Sequence, residues 1–375
     1  MSRLRARSSA IVARRLNAPG SLALLALTAL AGCSKKEAPS GSAAATTATA
    51  AAQKLPPVPT PPTGFGPIKT PENNPTTPEK VHLGNQLFFD KRLSVDGTLA
   101  CYSCHLNEDG TGGHDPTAIG AGNKPLPRHS PTLWNVAYLP KLYWDGRADT
   151  LEAQAKAAWA GGNMGVGQDK LAAKADEIGS LPEYKAAFDR AFPGIGATPD
   201  TVVQALSAYE RTLFCADTAF DKFSAGDTGA MNDQQKAGWE LFIGKAGCHG
   251  CHTPPLMSDA YVNADGAFHN TGVAQEGKAE ASIDEGRGKI SKNPLEWAAF
   301  KTPSLRNVTR SAPYFHNGSV AKLEDAVRFM VGGGFMNKAL DPKLMDKKLS
   351  EDEIKNLIAF LGALECGGKL TPPSE

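Results

Sequence analysis

Net charge is largely missing from this 375-residue chain, in which 40 Lys plus Arg face 39 Asp plus Glu. A balance of +1 provides no basic field for a phosphate backbone, so nucleic-acid binding is excluded as its main business. Long apolar runs are missing too. The one Leu/Ala-rich stretch, residues 21–31, is too short to cross a bilayer and lies beside the N-terminus, which argues against a transporter. Aromatic residues make up only 7% and there are only eight histidines, so a histidine next to a cysteine pair carries information. The 38 Gly and 27 Pro favour a loop-rich globule over a helical repeat. The length and the 41% hydrophobic content exceed what one core uses, which predicts two domains.

The first fifteen residues hold five arginines and no acid, and the short Leu/Ala run follows, as in an export signal. It ends in Leu30-Ala31-Gly32-Cys33, a pattern similar to a bacterial lipobox. Residues 1–32 are therefore expected to be a lipoprotein signal, with a plain signal peptide as the alternative. The chain would then be lipid-anchored through Cys33 on the periplasmic side of the envelope. Residues 34–52 are mostly Ala, Ser and Thr, and nine prolines fall between 56 and 78. Such composition buries little, so 33–78 is expected to be a disordered tether.

Seven cysteines need assignment. Cys101-Tyr-Ser-Cys104-His105 and Cys248-His-Gly-Cys251-His252 both read C-x-x-C-H, the attachment signature of c-type haem. Two thiols add to the two vinyl groups of one porphyrin, and the next imidazole becomes the proximal iron ligand. A chance occurrence is expected only about 0.003 times in a chain of this composition. The alternatives are a four-cysteine zinc site or a dithiol redox pair, and both leave the two histidines unexplained. Cys215 and Cys366 remain. In an exported chain they are expected to form a disulfide, the alternative being two buried thiols.

The motifs divide the folded part into 79–226 and 227–375. A helix-like stretch precedes each one, 78–89 and 232–242, with Gly and then Leu-Phe at matching positions, a weak internal repeat. Further helices are read at 151–158, 181–192, 199–214, 322–331 and 350–365 from apolar residues at three-to-four spacing. The expected fold is mostly α, with two cytochrome c-like domains, long loops and little or no β-sheet.

Several ordered blocks now carry a resemblance: Leu87-Phe-Phe-Asp-Lys-Arg-Leu-Ser, Ser130-Pro-Thr-Leu-Trp-Asn, Tyr143-Trp-Asp-Gly-Arg-Ala, Leu151-Glu-Ala-Gln, Pro303-Ser-Leu-Arg-Asn-Val, Ala312-Pro-Tyr-Phe-His-Asn-Gly-Ser and Leu323-Glu-Asp-Ala-Val-Arg-Phe-Met. Together they resemble the bacterial dihaem cytochrome c peroxidases, a family that includes dihaem enzymes oxidising protein tryptophans. The resemblance implies a peroxide-reacting first haem with His105 as proximal ligand and an electron-storing second haem held by His252 and Met330. Read alone, Met330 lies on an apolar stripe with Leu323 and Val327 and would be core. Trp144 matches the family's tryptophan between the haems, although a bare aromatic is more often core. Gln154 matches a polar residue over the peroxide face, although it would also suit a solvent-facing helix.

Three departures accompany the resemblance. No acid occupies 158–165, where the family usually carries a proton-moving glutamate, and Asn163 is the polar residue nearest that place. Ala121 stands where many members have a distal histidine. His129 replaces a calcium-ligating Asn whose companions would be the carbonyls of Ser311 and Pro313, which makes calcium doubtful. The implied function is reduction of H2O2 to water with electrons from a small c-type cytochrome or cupredoxin, and a homodimer is compatible with it. The alternatives are a dihaem oxidase of a partner protein's aromatic residues and a non-catalytic dihaem electron carrier.

Overall fold

Most helix starts carry their own signals. Thr77 caps α1 (Pro78–Phe89) and Thr198 caps α5 (Pro199–Glu210), each followed by proline at the first helical position, where its missing N–H costs nothing. Asn232 with Gln235 and Ser350 with Glu353 form capping boxes at α7 (Asp233–Ile243) and α10 (Glu351–Gly362). The computed structural model describes residues 55–373. The expected signal segment, Cys33 and the first part of the tether lie outside them. No helix among the described residues is long and apolar enough to cross a membrane.

The other helices are α2 (Leu151–Ala160), α3 (Leu171–Gly179), α4 (Pro182–Ala191), α6 (Ala219–Ser224), α8 (Arg287–Ser291) and α9 (Leu323–Val331). The sheet content is two antiparallel pairs, β1 (Ile119–Gly120) with β2 (Lys124–Pro125) and β3 (Phe268–His269) with β4 (Phe300–Lys301). The expectation of a mostly α fold with little sheet is met. α3 was absent from the sequence expectation because its stripe consists only of Leu171, Ala175 and Ile178.

The described residues form one compact unit with two principal apolar cores. The first gathers Leu83, Leu87, Phe88, Trp159, Phe188 and Leu206, and the second Trp239, Phe242, Leu357, Phe360 and Leu361. Each is built on one helix crossing that glycine permits. A Cβ on Gly84 of α1 would lie 1.9 Å from the Ala205 carbonyl oxygen of α5, and one on Gly238 of α7 would lie 1.9 Å from that of Asn356 in α10. The weak repeat read before each haem motif is thus a repeated close contact between backbones.

Three sequence expectations change. The tether expected over 33–78 is revised for its described part, since Asn74 is buried and its amide donates to Glu152 Oε1 (2.6 Å) while its carbonyl oxygen accepts from Lys80 Nζ (3.0 Å). Phe65 lies beneath the Arg306 guanidinium, and Tyr138 Oη donates to the Gly66 carbonyl. The boundary expected at 226/227 falls after α6, yet Phe220 of that helix packs in the second core, and Cys366 and Leu370 pack in the first. Finally, α5 and α10 stop a turn or so short of the expected 214 and 365, because the chain tightens there into three-residue turns, with the Leu213 N–H on the Glu210 carbonyl and the Leu364 N–H on the Leu361 carbonyl (3.2 Å each).

Candidate active site

Each C-x-x-C-H motif opens in a tight 3₁₀ turn, Cys101–Ser103 and Cys248–Gly250. The first is pinned by Ser103 Oγ accepting from the Ala100 N–H (3.0 Å). The turns deliver both cysteines of each pair to a cavity wall, and the following imidazole is oriented by a backbone carbonyl. His105 Nδ1–H donates to Thr111 O (3.0 Å) and His252 Nδ1–H to Met257 O (3.2 Å). A carbonyl only accepts, so the proton is on Nδ1 and the Nε2 lone pair is left for a metal. Thr111 and Met257 both have positive φ, turning those carbonyls back toward the ring. Burial pushes His105 down to about 4 and lowers His252 as well, so both rings are neutral at neutral pH.

The first cavity, about 870 Å³, is lined by Cys101, Cys104, His105, Gln154 and Asn163. The second, about 260 Å³, is lined by Cys248, Cys251, His252 and Met330. Trp144 stands in both walls. Every sequence-predicted site residue lines one or both of these two cavities. The stripe of Leu323, Val327 and Met330 on α9 does face apolar surroundings, but those surroundings are the second cavity.

The two bland readings of the cysteines fare poorly. The pairs line separate cavities, and no four-thiol group occurs among the described residues. All four thiols are unpaired, and burial raises Cys101 and Cys104 and pushes Cys248 up to about 11, which opposes the thiolate that zinc or disulfide exchange needs. Two free thiols from one C-x-x-C turn, a carbonyl-oriented imidazole and an apolar wall fit a covalently attached porphyrin.

The wall between the cavities is rigidly tied. Trp144 Nε1 donates to the His129 carbonyl (2.8 Å), and the His129 N–H donates to the His316 carbonyl (2.7 Å). The His316 ring lies edge-on to Trp144 at 6.5 Å between centroids and stacks on Phe300 at 3.5 Å. Burial pushes His316 down to about 3, so this ring is neutral.

The expected departures can be placed. Gln154 lies on α2, one turn after the Thr150 cap, and Asn163 lies in the loop that follows Gly161. Ala121 donates its N–H to the carbonyls of Gly162 and Asn163 (3.0 and 3.1 Å), so the hairpin carrying it buttresses that loop. Of the two histidines between the first haem motif and Trp144, His114 is largely exposed, whereas His129 borders the first cavity with Nδ1 bonded to the Asp115 carbonyl (2.9 Å). Ser311 and Pro313 border the same cavity as His129.

One residue in the cavity was overlooked in the sequence. Glu210 is 7% exposed, lines the first cavity and leaves Oε2 without a partner. Burial pushes its carboxyl up to about 8, although Arg211 acts against this. The signal was its position four residues after Leu206 and seven after Val203, on the buried stripe of α5, where a helix-end acid is easily read as solvated.

A family model of di-haem cytochrome c peroxidase matches residues 78–229. A curated relative, the cytochrome-c peroxidase IdrP1 of Denitromonas iodatirespirans, is 38% identical over 326 residues, covering 81% of this chain and 86% of the relative. The chain belongs to the dihaem cytochrome c peroxidase family. It is accordingly an oxidoreductase acting on peroxide, with haem c cofactors. The methylamine utilization protein MauG of Methylorubrum extorquens is 36% identical over 305 residues, covering 80% of this chain and 82% of the relative. A crystal structure of a MauG-like protein associated with microbial copper homeostasis superposes with a TM-score of 0.76 at 30% identity, covering 83% of this chain and 96% of that one.

Proposed function

We propose that the chain reduces H2O2 to two waters, taking two protons from its surroundings and two electrons, one at a time, from a small c-type cytochrome or cupredoxin. The haems, when bound, supply the iron redox chemistry, and the chain supplies ligands, orientation, protons and a path. Cys101, Cys104 and His105 would hold the peroxide-side haem, and Cys248, Cys251, His252 and Met330 the electron-storing one. A thioether ligand from Met330 would favour Fe(II) and so suit storage. Gln154 would hydrogen-bond a peroxide oxygen from the cavity wall, and Asn163 would orient water where a general acid is expected. Trp144 would shorten the electron path between the cavities.

The observation that carries this reading is the presence of Trp144 in both cavity walls, with one C-x-x-C-H imidazole facing each cavity. Stopped-flow mixing of half-reduced protein with H2O2 tests it. Oxidation of the second haem in step with peroxide consumption is expected, and peroxide left unconsumed would leave an electron carrier. The family resemblance also implies a second reading, oxidation of a partner protein's aromatic residues. Lipid anchoring through Cys33 on the periplasmic side and a homodimer belong to the proposal as well; calcium does not, because the imidazole of His129 is a poor ligand for a hard cation.

A further inference from the structure

Lys301 is the residue on the wall between the cavities that the peroxide chemistry leaves unused. It belongs to β4, is 8% exposed, and borders both cavities. Its backbone N–H donates to the Trp144 carbonyl (2.8 Å), which fixes it beside the indole. Its ammonium forms no ion pair among the described residues. Asp259, whose charge reaches it, gives Oδ2 to His269 (3.0 Å), which Asp341 also holds, and keeps Oδ1 buried without a hydrogen-bond partner. A buried ammonium without a counter-ion is costly, and burial accordingly pushes Lys301 down to about 8. A wall that keeps such a group is suited to an anion brought by its ligand. Haem c brings carboxylates, since its vinyl groups are consumed by the cysteines while its propionates stay free.

We propose that Lys301 anchors a propionate of the second haem and thereby holds that haem's potential up. Oxidised iron carries one more positive charge than reduced iron, so an unneutralised propionate favours the oxidised form and an ammonium paired to it removes that bias. Lys301 is a positioning residue in this role. The inference rests on the second haem being carried by Cys248, Cys251 and His252.

The test uses the purified holoprotein, native and with Lys301→Met or Lys301→Arg. Spectroelectrochemical titration should show the second haem's reduction equilibrium fall about tenfold in Lys301→Met, ~59 mV for one electron. Its propionate bending band in resonance Raman spectra should shift, and Lys301→Arg should preserve both signals. Peptide mass spectrometry reports haem on the second motif separately, so failure of the attachment reading is distinguishable. With both haems attached, unchanged potentials and an unchanged band in Lys301→Met overturn the proposal, as does a fall confined to the first haem. Should that variant not accumulate, a crystal structure of the native holoprotein with both propionates of the second haem beyond ion-pair distance of Nζ overturns it independently.

Discussion

Asn135 and Asn307 make the same pair of bonds in the two halves of the chain. Both have φ of 59°, both donate a backbone N–H to the carbonyl two residues before a cysteine, and both accept that cysteine's N–H on Oδ1, at 3.1 Å for Cys215 and 2.9 Å for Cys366. The two cysteines so positioned are bonded to each other, with Cα atoms 5.4 Å apart. The disulfide thus joins equivalent points of an internal repeat and ties the C-terminal segment to the first core. Opening this 151-residue loop by Cys215→Ser with Cys366→Ser removes at most about 5 kcal/mol on the chain-entropy model. The expected result is a lower unfolding midpoint with both haems retained. Alkylation of both native cysteines under denaturing, non-reducing conditions would contradict the bond.

The glycine crossings give a sharper mutational test. A methyl at Gly238 would meet a backbone oxygen, which a rotamer change cannot relieve, so α7 must move away from α10. Gly238→Ala is expected to cost several kcal/mol, at or above the upper range for overpacking. Gly362→Ala on the same pair of helices meets nothing within 4 Å and should cost nothing beyond its helix propensity gain. Denaturant melts of the two variants make the comparison.

How much of this was legible beforehand depends on the range of the interaction. Thr77-Pro78, Thr198-Pro199 and the two C-x-x-C-H turns are local, and each is read from a few consecutive residues. Asn74 illustrates the opposite case. Its segment is polar and proline-rich, and only the distant Glu152 and the gathered charges of Lys80 and Arg211 make it worth burying. Glu210 and Lys301 were missed for a related reason, since a charge on a buried face has no signature until the cavity it faces is known.

Glu210 makes stability depend on pH. Its carboxyl is raised by burial from 4.5 to about 8, with Arg211 opposing and Glu152 reinforcing the shift, while Cys101 of the motif turn and Tyr209 lie within reach of its charge. Between those values the native state keeps a proton that the unfolded chain has released, so stability falls as pH rises through the window. Glu210→Gln should flatten that slope and stabilise the protein by at most a few kcal/mol near pH 8. Unfolding midpoints from pH 4 to 9 check it, and parallel curves for the two proteins would show that the carboxyl is charged in the native state.

On the proposed ligation, Met330→His would offer a stronger donor to Fe(III) at the second cavity. The potential of one haem alone should drop, and the sulfur-to-iron charge-transfer band of the native protein should vanish. If the native protein has no such band and the variant leaves both potentials in place, Met330 is a core residue of α9.

Asn163 carries the last prediction. The loop of residues 161–165 is held by the hairpin at Ala121, whose N–H reaches the carbonyls of Gly162 and Asn163, so the side chain at 163 is presented to the first cavity from a fixed backbone. An amide there orients water but does not give up a proton, whereas a positioned acid typically contributes about 10²- to 10⁴-fold. Native turnover with H2O2 should therefore be slow, and Asn163→Glu should raise kcat while leaving KM for the electron donor unchanged. Its rate should also acquire a pH dependence with a carboxyl midpoint, which a merely structural effect of the substitution would not produce. Fast native turnover, indifferent to both Asn163→Glu and Gln154→Ala, would mean that protons enter from elsewhere in the cavity.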